Sequence, residues 1–203
     1  WGSYQLSTQS NLHDSSWAEE EFATVALKDV RLNRRCQVLA GALEQQPMVP
    51  LNQACEDWAD TKAAYRFMDN PKVSPAAIVS AHCERTIERM KAHSLVLAVQ
   101  DTTSLNYSTH PATEMLGPIG TSVDGLLGMM VHTTLAFNVS GTPLGLVDVQ
   151  CWTRDPDEHG KRHKAHDQVF EAKESVRWLR SLEALERIQD QCPDTQLVAV
   201  GDR

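Results

Sequence analysis

The spacing of apolar residues changes once along this chain, near residue 94. Before that point apolar side chains recur every three or four positions, as in Leu32, Cys36, Leu39 and Leu43. Such a series lines one face of a helix. After it come short apolar runs rich in β-branched residues, beginning with Leu95-Val96-Leu97-Ala98-Val99. Those runs read as strands. One element cannot satisfy both periods. The sequence therefore predicts an α/β chain: a small helical domain over 15–75, then a mixed-sheet domain over 76–203, with residues 1–14 as a loose polar arm.

Local signals divide these domains further. Asp14-Ser15-Ser16 followed by Glu19 reads as a helix start with a capping box, and Trp17, Phe22, Val25 and Ala26 then recur at helical spacing. Further helices are expected over 31–45, over 51–68, and from Ser74-Pro75 to about Lys91. Strands are expected over 95–100, 129–137, 144–152 and 196–201. Ser140-Gly141-Thr142-Pro143 makes a hairpin of the second and third. A helix over 168–190 would bury Val169, Val176, Leu179, Leu182 and Leu185.

Composition narrows the function. The five cysteines are widely spaced and form no Cys-x-x-Cys pair, which argues against a disulfide framework and for a reducing, cytoplasmic setting. No apolar stretch approaches the roughly 20 residues that span a bilayer. The chain begins at Trp1 without a signal peptide and stops at Gly201-Asp202-Arg203, just after an apolar run. Both ends read as cut, so a fragment of a longer protein is expected. The net charge of −8 argues at first against DNA. Its distribution argues otherwise. Residues 28–35 and 61–93 each sum to +3 within an acidic chain, and 94–152 contain no Lys or Arg.

Two expected strands each end in an aspartate: Val-Leu-Ala-Val-Gln-Asp101 and Leu-Val-Ala-Val-Gly-Asp202. In open α/β sheets ligands gather beyond the strand ends. Neighbouring carboxylates there would attract Mg²⁺ or Mn²⁺, and a metal pair suits phosphoryl transfer. The alternative is that each aspartate only caps the following turn. Other constellations carry less. His159, His163 and His166 lie in a charged, loop-like stretch with no further ligand evident. His132 reads as a structural histidine, and Ser104 lacks a nucleophile elbow. Gly125-Leu-Leu-Gly128 is too short and apolar for a phosphate loop.

Several motifs in one order resemble bacterial cut-and-paste DDE transposases of the insertion-sequence family that includes the transposon-five enzyme. They are Trp17-Ala18 with Phe22, Leu27-x-Asp29-x-Arg31-x-x-Arg34-Arg35, and Ala63-Ala64-Tyr65-Arg66-Phe67-x-x-Asn70-Pro71-x-Val73-Ser74. Asp101-Thr102-Thr103-Ser104-Leu105-Asn106-Tyr107 follows, then Val131-His132-Thr133-Thr134-Leu135-Ala136, Lys173-Glu174-Ser175-x-x-Trp178 and Asp202-Arg203. The resemblance covers residues 15–203. It implies an RNase H-like core in which Asp101 and Asp202, with a glutamate further on, bind two divalent ions, Mg²⁺ or Mn²⁺. It implies transposon-end double-stranded DNA and target DNA as partners, a homodimer on DNA, and a nucleoid-associated place in the bacterial cytoplasm. Without the glutamate, the fragment itself is expected to be inactive in strand cleavage and transfer.

The basic islands then take a role. Arg31 and Arg35 are four apart, Arg34 is adjacent and Lys28 lies one turn before. Such a row can follow a phosphate backbone, or be an ordinary solvated helix face. Arg66 joins them by its motif, which lies beside the DNA end in the family. Tyr65 and Phe67 read as core. Two further readings stay open: a catalytically inert DNA-binding or regulatory module derived from a transposase, and another RNase H-like metal-dependent nuclease.

Overall fold

Ser16 opens the first helix as the sequence requires. Its hydroxyl accepts from the Glu19 N–H and the Glu19 carboxylate accepts from the Ser16 N–H, closing a capping box. The computed structural model describes residues 16–110, 112–120, 124–157 and 176–201. The expected arm over 1–14, the His159, His163 and His166 cluster, Val169, the Lys173-Glu174-Ser175 stretch, Asp202 and Arg203 all lie outside the described residues.

The chain divides into two units, one ending at Ala81 and the next beginning at His82. The first is helical. It comprises α1 (Trp17–Glu21), α2 (Val30–Gln45), α3 (Leu51–Ala54), α4 (Trp58–Met68) and the start of α5 (Pro75–Met90). Its core joins Val25, Leu27, Cys36, Leu39, Ala64, Phe67 and Ala81, with Leu32 and Leu43 packed against them. The 3.6-residue stripe on α2 is thus the buried one.

Two expectations for this unit change. The first helix stops at Glu21, and Val25 reaches the core from the turns beyond it. The helix expected over 51–68 is broken. Cys55 is extended, and Asp57 starts α4 by accepting from the Asp60 N–H. An aspartate that can satisfy an exposed helix-end donor favours a new start over continuation. Lys28 precedes the helix: Asp29 is the N-cap of α2, and Lys28 itself is left-handed at φ 61. The Leu27 N–H donates to Asn33 Oδ1 across this bend.

The second unit holds β1 (Leu95–Asn106), β2 (Gly117–Ile119), β3 (Leu126–Asn138), β4 (Pro143–Trp152), α6 (Val176–Gln189) and β5 (Gln196–Gly201). The sheet runs β2-β3-β1-β5, and β4 also pairs with β3. β1 is antiparallel to β3 and parallel to β5, so the sheet is mixed. The β3–β4 hairpin forms, turning at Gly141 with φ 81. One sheet face carries Val96, Ala98 and Ala136 into a core with Ile87 and Met90 of α5 and Leu185 and Ile188 of α6.

Here too the strands outrun the expectation. β1 does not end at Gln100; Asp101 through Asn106 continue it against β3 as far as the Asn106–Gly128 pair. Thr102, Thr103 and Ser104 accept this because β-branched and small polar residues suit a half-exposed strand. β2 was not expected, since three residues give no period. On α6 the buried residues are Val176, Ser181, Leu185 and Ile188, whereas Leu179 and Leu182 stand 41% and 42% exposed. The stripe differs because Ser181 occupies an inward position, where it donates to Asp148 Oδ2 at 2.7 Å.

β4 carries two irregularities. Its register with β3 shifts on either side of the Leu135–Leu146 and Ala136–Gly145 pairs, leaving Val147 and Leu144 as the extra residues. Both turn into the core, at 5% and 9% exposure. Such bulges re-aim side chains and free backbone groups. Side chains of α5 fill two of those groups. Arg89 Nε donates to the Leu144 carbonyl at 2.6 Å, and the Leu146 N–H donates to His82 Nε2 at 2.9 Å. Between them Gly145 sits at φ 136, and a Cβ there would collide with Thr86 Oγ1. Gly145→Ala is therefore expected to cost about 2 kcal/mol or more, from strain and forced separation of α5 from β4. Urea unfolding checks this: an unchanged midpoint would mean that the helix yields freely.

Candidate functional site

The helical unit distributes its cations unequally. Arg31 turns back onto its own cap: Nε and Nη2 donate to Asp29 at 3.3 and 3.2 Å, while the Asp29 carboxylate also accepts from the Arg31 N–H. The hydrogen bond from the Arg31 side chain is the leading cause holding the Asp29 carboxyl below the usual aspartate range, followed by the Arg31 N–H. Arg35 donates to Asp60 Oδ1 at 3.2 Å, tying α2 to α4. Lys28, Arg34 and Arg66 are exposed, and among the described residues none of them takes a side-chain hydrogen bond or ion pair. Of the five basic residues singled out from sequence, these three present unneutralised charge. Lys28 does so from a left-handed bend that disfavours any side chain with a Cβ.

Phe67 is core, as expected, at 4% exposure, but Tyr65 is not: it is 50% exposed. Residues two apart on a helix point to opposite sides. Phe67 follows Thr61 and Ala64 inward, and Tyr65 faces water with Arg66.

In the sheet unit, Asp101 lies on the face opposite the helices. Val96, Ala98 and Gln100 alternate inward, and Asp101 is the first exposed residue of β1. Its carboxylate takes no hydrogen bond or ion pair among the described residues. The two neighbours of Asp101 in sequence hold the opposite face. Gln100 is 6% exposed and His132 fully buried. Thr102 Oγ1 lies 2.7 Å from His132 Nδ1, and Gln100 Oε1 lies 3.3 Å from His132 Nε2. An amide oxygen only accepts, so Nε2 carries the proton and Nδ1 accepts from the threonine hydroxyl. The ring is the neutral tautomer, packed edge-on to Trp178 of α6 with centroids 4.7 Å apart. Burial pushes its pKa below the ordinary value of 6.5, against the pull of Asp148 and Asp101. His132 is thus a structural histidine that locks β1 to β3 directly behind Asp101.

Beside it runs a second polar network. The two N–H bonds of Gln150 Nε2 are shared among Asp148 Oδ2, the Arg177 carbonyl and Ser181 Oγ. Cys83 is held protonated, its pKa pushed up to about 11 by burial and by Asp148 and Glu84. It is no nucleophile at neutral pH. Among the described residues no group of three or more His, Cys, Asp or Glu comes together, and no helix is long and apolar enough to cross a membrane.

Lys28, Arg34 and Arg66 thus leave the helical unit with charges free to meet phosphates. Residues 14–73 match the family model described as transposase DNA-binding. The matched segment takes in α1 through α4, and it supports a transposase role with DNA as the partner.

The buried histidine yields a pH signature. Its folded pKa lies below its unfolded one, so the unfolded chain binds more protons. The stability held this way is complete above about pH 6.5 and is lost as pH falls below it. His132→Asn should flatten that part of the stability curve, read as urea midpoints at about pH 7.5 and about pH 5. An equally steep acid loss in the variant would assign it to other groups.

Proposed function

We propose that the chain works as a DDE transposase. Its helical unit binds transposon-end duplex DNA through Lys28, Arg34 and Arg66, with Arg31 and Arg35 held nearby in ion pairs. Its mixed-sheet unit is an RNase H-like core for metal-dependent strand cleavage and strand transfer. It acts on target DNA, and as a homodimer on the DNA ends.

One observation carries the catalytic part of this reading. β5 runs parallel to β1, and its last described pair is Gly201 beside Gln100. Each of those residues is followed in sequence by an aspartate, Asp202 and Asp101. The parallel register thus puts Gln100 and Gly201, the residues that precede the two aspartates in sequence, side by side on neighbouring strands. The donor chemistry fits Mg²⁺ or Mn²⁺: hard oxygens, an exposed and unpartnered Asp101, and no Lys or Arg over 94–152 to compete. Asp101 and Asp202 would hold the metal, which supplies charge stabilisation and an activated water for phosphoryl transfer. The chain's own contribution is position. Gln100, Thr102 and His132 fix β1 from behind, so Asp101 is presented on a rigid strand.

Both halves are testable on the whole chain. Lys28→Ala and Arg34→Ala should each weaken duplex binding and lower the slope of log affinity against log salt by about 0.9, read by fluorescence anisotropy. Unchanged slopes would remove these residues from the interface. Lys28→Gly should weaken binding equally while leaving stability within about 1 kcal/mol of the parent, because glycine tolerates the left-handed bend. Asp101→Asn should abolish Mn²⁺ binding seen by electron paramagnetic resonance and leave duplex affinity within about twofold. Retained Mn²⁺ affinity would refute the metal assignment.

A further inference from the structure

Helix α4 buries Thr61, Ala64 and Phe67 along one side. The other side, at spacings i, i+4, i+7 and i+8, presents Trp58, Lys62, Tyr65 and Arg66, with Asp69 closing its end as the helix C-cap. Trp58 is 76% exposed and Tyr65 50%, and both cations are exposed. Among the described residues none of these five side chains takes a hydrogen bond or an ion pair. An indole ring is among the largest apolar surfaces a protein can bury, and leaving it in water forfeits that gain. Scattered apolar residues on a surface need no explanation. Two aromatic rings interleaved with two cations on one helix side are a different matter. Surfaces that hold nucleic acid by stacking combine an aromatic face for the base with Lys or Arg for the backbone.

We infer that this side of α4 is a DNA contact surface, on which Trp58 stacks against an exposed base face while Lys62 and Arg66 meet flanking phosphates. The inference rests on the DNA-binding reading above and adds the kind of DNA. Inside a continuous duplex each base face is covered by its neighbours. A ring as exposed as Trp58 therefore suits DNA whose stack is interrupted, at an unpaired base or a duplex end. Net positive charge on this side favours a nucleic acid over an apolar protein patch as the occupant. Asp69 lies one turn beyond Tyr65 and sets the far limit of the surface.

The test uses two duplexes of one sequence, ends blocked with streptavidin, one carrying a single unpaired thymine at its centre. The whole chain should bind the interrupted duplex roughly tenfold more tightly. Trp58→Ala should erase that preference while still binding the continuous duplex, and Trp58→Phe should retain part of it. Lys62→Ala and Arg66→Ala should weaken both DNAs alike and lower the salt slope by about 0.9 each. Trp58 is exposed, so its replacement leaves the melting temperature in place, and circular dichroism checks this. Equal binding of both duplexes by the parent, or a preference that survives Trp58→Ala, overturns the stacking proposal and leaves the DNA-binding reading standing. Failure of the parent to bind either duplex at low salt overturns both. A Trp58→Ala variant that binds both duplexes like the parent but loses self-association assigns the surface to a protein partner instead.

Discussion

Strand β1 is the constraint on which the sheet unit depends. It pairs antiparallel with β3 from Val96–Asn138 to Asn106–Gly128, and parallel with β5 from Leu95–Gln196 to Gln100–Gly201. A strand held on both edges has little freedom to shift. Its inward residues, Val96 and Ala98, are fully buried in the core shared with α5 and α6. Where that apolar series ends, Gln100 and His132 replace it with hydrogen bonds. The polar groups remain affordable inside because each ring nitrogen has a partner.

The helical unit depends on smaller devices. Capping by Ser16, Asp29 and Asp57 decides where helices begin, and the stripe through Cys36 and Leu39 decides how α2 lies. Its electrostatics are sorted by geometry more than by count. Arg31 and Arg35 are partly neutralised by local carboxylates, whereas Lys28, Arg34 and Arg66 are not. Residues 14–73 carry ten Asp or Glu against seven Lys or Arg, so the case for DNA rests on where the unpaired cations sit and not on net charge.

Much of this was legible from residues alone. Period gave the helix-to-sheet change, the α2 stripe, the hairpin and β5. Capping chemistry gave α1 and the start of α5. What stayed hidden depends on partners distant in sequence. Nothing local says that β1 continues past Gln100, since its Thr102–Asn106 segment is a strand by virtue of β3. The break before α4 was written in Asp57 but masked by helical periodicity on both sides. On α6 the leucines suggested the wrong stripe, because the inward position belongs to a serine that answers Asp148. Hydrophobicity argues for Tyr65 inward, whereas its place two residues before the buried Phe67 on a helix sends it outward. The relation of Asp101 to the strand preceding Asp202 is a matter of register, which a single sequence does not state.

Strand alternation has one last consequence. Gln100 and Asp101 are consecutive, one facing the helices and one facing away. Sliding β1 by a single residue would exchange them, burying a carboxylate against His132 and Trp178 and turning an amide toward the open face. A one-residue insertion or deletion in β1 would therefore need a compensating bulge, like those of β4, to keep both residues in place. The same pleat that makes the interior dry also sets where the acid points, so an uncompensated one-residue deletion in β1 would displace the core residues and Asp101 together.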